Sequence, residues 1–470
     1  LVPLFILPPS AAHPVAGASR VSTTATEPPL EASIPLPELT SIRWAVCGLL
    51  FLATTINYMD RSVLSLVEPL LHLPFMGWKP GIPAAYQVDY NLAYGRIVIC
   101  FQIAYGVGLL FAGRVIDRLG TKLGYTLAIV VWALSSMGHS LVFSIAGFCI
   151  ARALLGLGEA GNFPAAIKGI SEWFPSSERA LATGLFNSGA NASFFIAPLL
   201  VAAVTSRFGW RSAFLCTGSM GLVWVVLWTA FPYNKLRRSG TLSQQNLQAV
   251  VPVSSGWPFY RSLLRTPGLY AFSIGKGLTD GVWWFYLFYL PKFLNESYGL
   301  DLNHAKYPLI VVYSVSSVGS IGGGWLSGRL MQQGLSVNLA RKLTMLTMAL
   351  CVVPIIFVPR MHLLFPQNAW PAIALFSLAA AAHQGWSANI FSTPPDMIPA
   401  TAVSTVVGVG GACGAAGGAV FTWLVSHFFA LHPLPIFLLA GFAYLTALGI
   451  FQLLVPTLGA PRLGSAAARA

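Results

Sequence analysis

The sequence predicts an all-α membrane protein: twelve transmembrane helices in two pseudo-symmetric six-helix bundles. Three observations predict it. Of the 470 residues, 56% are hydrophobic and 9% charged, with a mean hydropathy of +0.70. A soluble domain carries about 25% charged residues, so the solvent for most of this chain is lipid. Twelve stretches reach the roughly 20 mostly apolar residues that a spanning helix needs. Finally, the second six stretches repeat residue spacings found in the first six.

In chain order the stretches lie at about 43–66, 92–114, 123–141, 145–172, 179–205, 212–232, 268–295, 306–330, 340–359, 369–393, 401–428 and 434–456. Lipid leaves no partner for an unpaired backbone group, which favours helices, and the short alternating segments of a membrane barrel do not occur. Residues 1–41, rich in Pro, Ala, Ser and Thr, read as a disordered tail. Its apolar start, Leu1–Leu7, is too short to span and has no cationic flank, so no leader peptide is expected. Spans one to six form a bundle over 42–233. The segment 234–266, with Ser239-Gly240 and Ser254-Ser255-Gly256, is the longest loop and links it to a second bundle over 267–457; 458–470 is a tail. Sixteen Lys and Arg, from Arg20 to Arg469, fall on the side of the termini, against Lys79, Arg207, Arg211, Lys292, Lys306 and Arg360 opposite. The positive-inside rule therefore puts both termini in the cytoplasm. It also accounts for the net charge of +13 without nucleic acid. Six scattered cysteines form no CxxC or Cys/His cluster, so neither a metal site nor a disulfide framework is expected.

The repeat is specific. Glu172-Trp-Phe-Pro175 follows span four, with Gly184 twelve residues past the acid; Asp396-Met-Ile-Pro399 follows span ten, with Gly408 at the same distance. The loop after span two reads Gly113-Arg-Val-Ile-Asp117-Arg118-Leu-Gly120-Thr-Lys122, and its counterpart after span eight runs from Gly324 through Arg329 to Arg341-Lys342. Gly113 lets two helices approach, Asp117 caps or pairs across a helix end, and Arg118 anchors the cytoplasmic face. A site between two such repeats lies near the bilayer midplane.

Ionisable residues inside the spans cost about 2.5–3.5 kcal/mol each on insertion scales, so each needs a partner or a task. Asp60 and Arg61 are adjacent on span one and point apart; Arg152 and Glu159 lie two turns apart on span four. The expected solution is crosswise, Asp60 with Arg152 and Arg61 with Glu159. An anion that takes Arg61 leaves Glu159 unpaired and ready to accept a proton, which couples binding to protonation. The alternative is a pair of structural ion bridges between spans one and four. Lys276 and Asp280 on span seven form an i,i+4 pair, either self-neutralised for insertion or in contact with a substrate. Polar candidates for a cavity wall are Gln102 and Tyr105 on span two, Asn187 and Asn191 on span five, and His383, Gln384, Trp386 and Asn389 on span ten. Interhelical hydrogen bonding is the competing use of such side chains. The glycines from Gly408 to Gly418 lie in an apolar span and read as close helix packing rather than a phosphate loop.

The loop from Gly113 to Lys122 resembles the loop motif of the major facilitator superfamily. Arg152-x6-Glu159-Ala-Gly-Asn162, Glu172-Trp-Phe-Pro175, Asn57-Tyr58-Met59-Asp60-Arg61, Leu278-Thr-Asp280-Gly-Val-Trp283-Trp284 and His383-Gln384-Gly-Trp386-Ser-Ala-Asn389 resemble the hexuronate transporters of its anion:cation symporter family. The resemblance covers about 42–455 and implies the major facilitator fold and import of a sugar-acid anion, a hexuronate such as glucuronate or galacturonate, with protons; the alternative is another organic anion (an aldonate, aldarate or aromatic acid) with sodium as a second candidate ion. It implies substrate contacts for Tyr58, Arg61 and Tyr105, to which the polar clusters on spans five and ten add Asn187, Gln384, Trp386 and Asn389 as expected contacts. It implies proton coupling through Asp60 and Glu159 with Arg152 as partner, and a conformational role for Gly113, Asp117 and Arg118. It implies no cofactor or metal, a monomer in a bacterial cytoplasmic membrane, and lipid as the surrounding partner. Two departures stand out: the segment 71–91, read as an outer lid, is long, and Gly281 replaces a proline often found after Thr-Asp. An embedded enzyme would need a nucleophile–base pair or metal cluster, and GxSxG and HExxH are missing. A channel would need a filter repeat or rings of charge, and a non-transporting anion sensor is the remaining rival.

Overall fold

A computed structural model describes residues 36–75, 84–234, 236, 257–299, 302–428 and 433–459. Every regular element among them is helical. The first half contains α1 (Leu36–Phe75), α2 (Ala84–Leu119), α3 (Thr121–Gly138), α4 (Ile145–Glu159), α5 (Asn162–Trp173), α6 (Ser176–Phe208) and α7 (Trp210–Ala230). A short α8 (Trp257–Leu264) precedes the second half: α9 (Pro267–Tyr298), α10 (Leu302–Gln332), α11 (Val337–Val352), α12 (Val358–Leu364), α13 (Trp370–Ile390), α14 (Pro394–Met397), α15 (Val403–Phe428) and α16 (Pro433–Leu454). Among the described residues eight helices are long and apolar enough to cross a membrane on length and hydropathy alone. The remaining four spans are the short α3, the broken α4–α5, and the polar α9 and α13.

Several expected boundaries move. The first helix begins at Leu36, inside the segment read as a tail. Most of the expected 71–91 lid continues α1 to Phe75 and starts α2 at Ala84, and 76–83 lies outside the described residues. The linker contains α8, with 235 and 237–256 outside the description, as are 1–35 and 460–470 of the tails. Span four breaks between Glu159 and Asn162, with Gly161 at the joint, so its charged residue ends one helix rather than sitting within a continuous one.

Helices turn where glycine allows the chain to reverse. Gly120, Gly209 and Gly334 have φ of 80°, 79° and 95°, a region L-residues avoid. They sit at the α2–α3, α6–α7 and α10–α11 turns. Ser144 and Ser336 cap α4 and α11, their hydroxyls accepting from Gly147 N at 3.1 Å and Leu339 N at 3.3 Å.

Packing repeats between the halves. In the first, α1 packs on α6, α2 on α4 and α3 on α7; in the second, α9 on α15, α10 on α13 and α11 on α16. The halves meet along two equivalent seams, α2 against α15 and α6 against α10. The glycines of the sequence repeat build these seams. A Cβ on Gly113 would collide with the Ser404 carbonyl, and one on Gly408 with the Leu109 carbonyl; Gly184 and Gly324 stand in the same relation to Ser320 and Ala180. Without a hydrophobic drive between helices in lipid, such close backbone approach supplies the contact.

The seams are latched at the end carrying the α2–α3 turn. Asp117 accepts from Lys168 Nζ at 2.8 Å and caps the start of α15, taking Thr405 N at 2.8 Å, Thr405 Oγ1 at 2.6 Å and Ser404 N at 3.3 Å. Arg179 of the first half donates to Asp396 of the second at 2.8 Å, and Arg341 joins Asp396 at 3.1 Å while reaching Ser176 O across the seam at 2.7 Å. Arg118 is exposed, on the outer side of α2. Its neighbour Arg114 is buried instead, with its guanidinium 3.7 Å from the ring centre of Phe259 on α8.

Candidate functional site

Between the halves lies a cavity whose walls come from α1, α2, α5 and α6 on one side and α9, α13 and α15 on the other. Tyr58, Arg61, Tyr105, Asn187, Asn191, His383 and Gln384 line it, together with Lys276, Asp280 and the rings of Phe163, Trp283, Trp284 and Phe391. Phe163 and Phe391, one from each half, stack at 5.2 Å.

Arg61 dominates the first wall. Its Nε and Nη2 both donate to Glu159 Oε2, at 3.0 and 2.8 Å. Tyr58, Phe101 and Tyr105 surround the guanidinium, with ring centres at 4.8, 5.1 and 4.7 Å. Cation–π contacts of this kind hold a guanidinium in place where water is scarce. The break after α4 lets Glu159 reach across to α1 from behind. The Arg61 side chain remains 25% exposed while Glu159 is fully covered, so the pair shows its cationic face to the cavity. Glu159 Oε1 has no hydrogen-bond partner.

The other expected pair does not form. Asp60 Oδ1 accepts from Ser136 Oγ at 2.6 Å, and its Oδ2 has no hydrogen-bond partner. Arg152 instead donates to the Arg61 backbone carbonyl at 3.4 Å, and its guanidinium lies 5.8 Å from the Phe101 ring centre. The cause is simple: Asp60 points away from the cavity toward α3, while Arg152 stays against the α1 backbone and α2. A seven-residue spacing on span four sets the level of its charges but not the direction of their partners on span one.

On the second wall Lys276 Nζ meets Asp280 Oδ1 at 2.7 Å, as the i,i+4 spacing requires. His383 stacks on Trp283 at 4.9 Å and shares a 2.5 Å hydrogen bond with Tyr444. Asn187 Nδ2 donates to Gln384 Oε1 at 2.6 Å and to Ser387 Oγ at 3.3 Å, a polar bridge between the halves inside the cavity.

Three expected wall residues lie elsewhere. Trp386 and Asn389 share the face of α13 opposite Gln384 and Ser387. Trp386 packs edge-on to Tyr444 at 5.4 Å, and Asn389 donates to Gly323 O and Gly385 O at 2.9 Å each. Both are buried in the second bundle, where Asn389 binds α10 rather than facing the cavity. Gln102 is exposed on the outer side of α2. The aromatic members Phe163, Phe194 and Trp284 escape a reading based on polar residues, because a ring at helical spacing in an apolar span looks like any packing residue. Among the described residues no group of His, Cys, Asp and Glu could hold a metal ion.

A family model described as Major Facilitator Superfamily matches residues 50–422. The hexuronate transporter of Escherichia coli K12 is 28% identical over 436 residues, which are 89% of this chain and 93% of that protein. A probable galactarate/D-glucarate transporter, GudP of Bacillus subtilis 168, is also 28% identical, over 73% of this chain and 76% of its own. Among solved structures, the proton:xylose symporter XylE bound to 6-bromo-6-deoxy-D-glucose superposes with a TM-score of 0.67 at 16% identity, covering 89% of this chain and 96% of that one.

Proposed function

The chain belongs to the Major Facilitator Superfamily, and on that premise we propose that it imports a sugar-acid anion, a hexuronate such as glucuronate or galacturonate, by proton symport and alternating access. The observation that carries the reading is Arg61, turned toward the cavity with its carboxylate partner behind it. An entering carboxylate takes the exposed edge of the guanidinium in charge-assisted hydrogen bonds. Glu159 then shares or loses its cation. A buried carboxylate without a partner costs several kcal/mol, which a proton removes. Asp60, hydrogen-bonded to Ser136, is the second proton carrier, and Arg152 acts on it as a nearby charge rather than by a direct bridge. Tyr58, Tyr105, Asn187 and Gln384 offer hydroxyl and amide groups to the sugar, and Trp283 and Trp284 offer ring faces.

The latches of Asp117 and Asp396 close the end carrying the α2–α3 turn, which the positive-inside count assigns to the cytoplasm. We therefore read the structure as the outward-facing state of a monomer in a bacterial cytoplasmic membrane, both termini inside. An inside-negative potential opposes an entering anion by about 2.3 kcal/mol per charge per 100 mV. One proton per monoanion cancels that cost, and a second makes the potential a driving force.

The test is uptake of labelled glucuronate and galacturonate into proteoliposomes, with and without an inward proton gradient and with a sodium gradient in its place. Accumulation that depends on the proton gradient supports the reading. Accumulation driven by sodium alone replaces the coupling ion, and absence of uptake beside an active control transporter rejects the hexuronate. The name of the galactarate/D-glucarate relative makes an aldarate the second reading.

A further inference from the structure

The two ion pairs of the cavity face it in opposite senses. In the first half the cation is presented: Arg61 is 25% exposed and Glu159 is 0%. In the second half the anion is presented: Asp280 is 19% exposed and Lys276 only 6%. Phe391 covers the ammonium, its ring centre 4.1 Å from Lys276 Nζ. Gly414 of α15 gives the carboxylate its room, since a Cβ there would collide with Asp280 Oδ2. The cavity is thus neutral in sum but polar across its width, positive on the α1 wall and negative on the α9 wall.

A substrate that matches this polarity carries one carboxylate at one end and hydrogen-bond donors at the other. A uronate does: its ring hydroxyls donate, and Asp280 accepts. An aldarate does not: with its first carboxylate on Arg61, its second has only acceptor oxygens and meets another carboxylate. Like charges placed face to face across a desolvated contact discriminate strongly. We propose that Asp280, held by Lys276 and seated against Gly414, is a specificity-determining residue that admits sugar monoacids and rejects sugar diacids. The proposal rests on the sugar-acid reading above and narrows it.

The experiment measures uptake of labelled glucuronate into proteoliposomes of the full chain, competed by unlabelled glucuronate or glucarate. In the wild type, glucarate is expected to compete at least about tenfold more weakly than glucuronate. Asp280→Asn removes the facing charge and leaves Lys276 unpaired, so the gap should shrink to about threefold or less. A Lys276→Gln/Asp280→Asn double variant, neutral at this wall, should also narrow it. If a variant is transport-inactive, the same ratio is read by quenching of tryptophan fluorescence in purified protein, since Trp283 and Trp284 line the site. Glucarate competing as well as glucuronate in the wild type, or a ratio unmoved in both variants, overturns the proposal while leaving sugar-acid transport standing. No uptake of glucuronate at all overturns the proposal together with the hexuronate reading on which it rests.

Discussion

Arg61 concentrates the chemistry of the cavity in one side chain. Its two nitrogens on Glu159 and three rings around its plane require a planar fork, so Arg61→Lys keeps the charge and loses the geometry. Charge-assisted hydrogen bonds contribute about 1.5–3 kcal/mol each. We expect Arg61→Lys to raise the apparent KM for glucuronate by about tenfold or more, measured as initial uptake rates over a substrate series. Asp60→Asn should leave expression intact and abolish accumulation driven by a proton gradient, checked by the same assay with western quantification. At this scale the sequence is legible where spacing alone decides. The Lys276–Asp280 bridge follows from an i,i+4 interval, and the Arg61–Glu159 pair from the need of each charge for a partner. The missing Asp60–Arg152 bridge depends on which way two side chains leave their helices, a fact set by Ser136 on a third helix. Trp386 and Asn389 depart from expectation for the same reason: four polar residues within two turns cannot all face one way, and the sequence does not say which way is in.

Between helices, the determinant is how closely two backbones can approach. The paired glycines of the repeat, Gly113 with Gly408 and Gly184 with Gly324, sit at equivalent crossings of the two seams. The repeat is legible in the amino-acid spacing because the same crossing has to be built twice. Adding a side chain at either crossing should separate the halves at the latched end. We expect Gly408→Val to increase labelling of cysteines placed on the latched ends of α2 and α15, and to lower uptake several-fold, while Gly449→Val on α16, with open space around it, should change neither. Helix ends are less legible. The break after Glu159 hides in an apolar run, since Ala160 and Gly161 are as much at home inside a membrane helix as at its end, and α8 lies in a stretch whose composition reads as loop.

On the proposed alternating-access reading the whole molecule balances two facing states, and we propose that Asp117 sets one side of that balance. It holds the Lys168 ammonium of its own half, together with a hydroxyl and two backbone N–H groups of the other half. Asp117→Asn weakens the charge-assisted part of that set by about 1–3 kcal/mol, enough to move a two-state equilibrium roughly tenfold or more. Distances between spin labels at the latched ends of α2 and α15 should lengthen in the variant without substrate. The twelve-span plan and the equivalence of the halves are legible because lipid imposes length, composition and repetition. The facing state is not, because one sequence serves both states and only their contacts differ. The central claim is that substrate and proton exchange places at the Arg61–Glu159 pair. It is tested most directly by comparing proton-driven uptake with substrate counterflow in Glu159→Gln proteoliposomes. The account predicts that counterflow of glucuronate persists while accumulation under an inward proton gradient is lost. Accumulation equal to that of the wild type would contradict it.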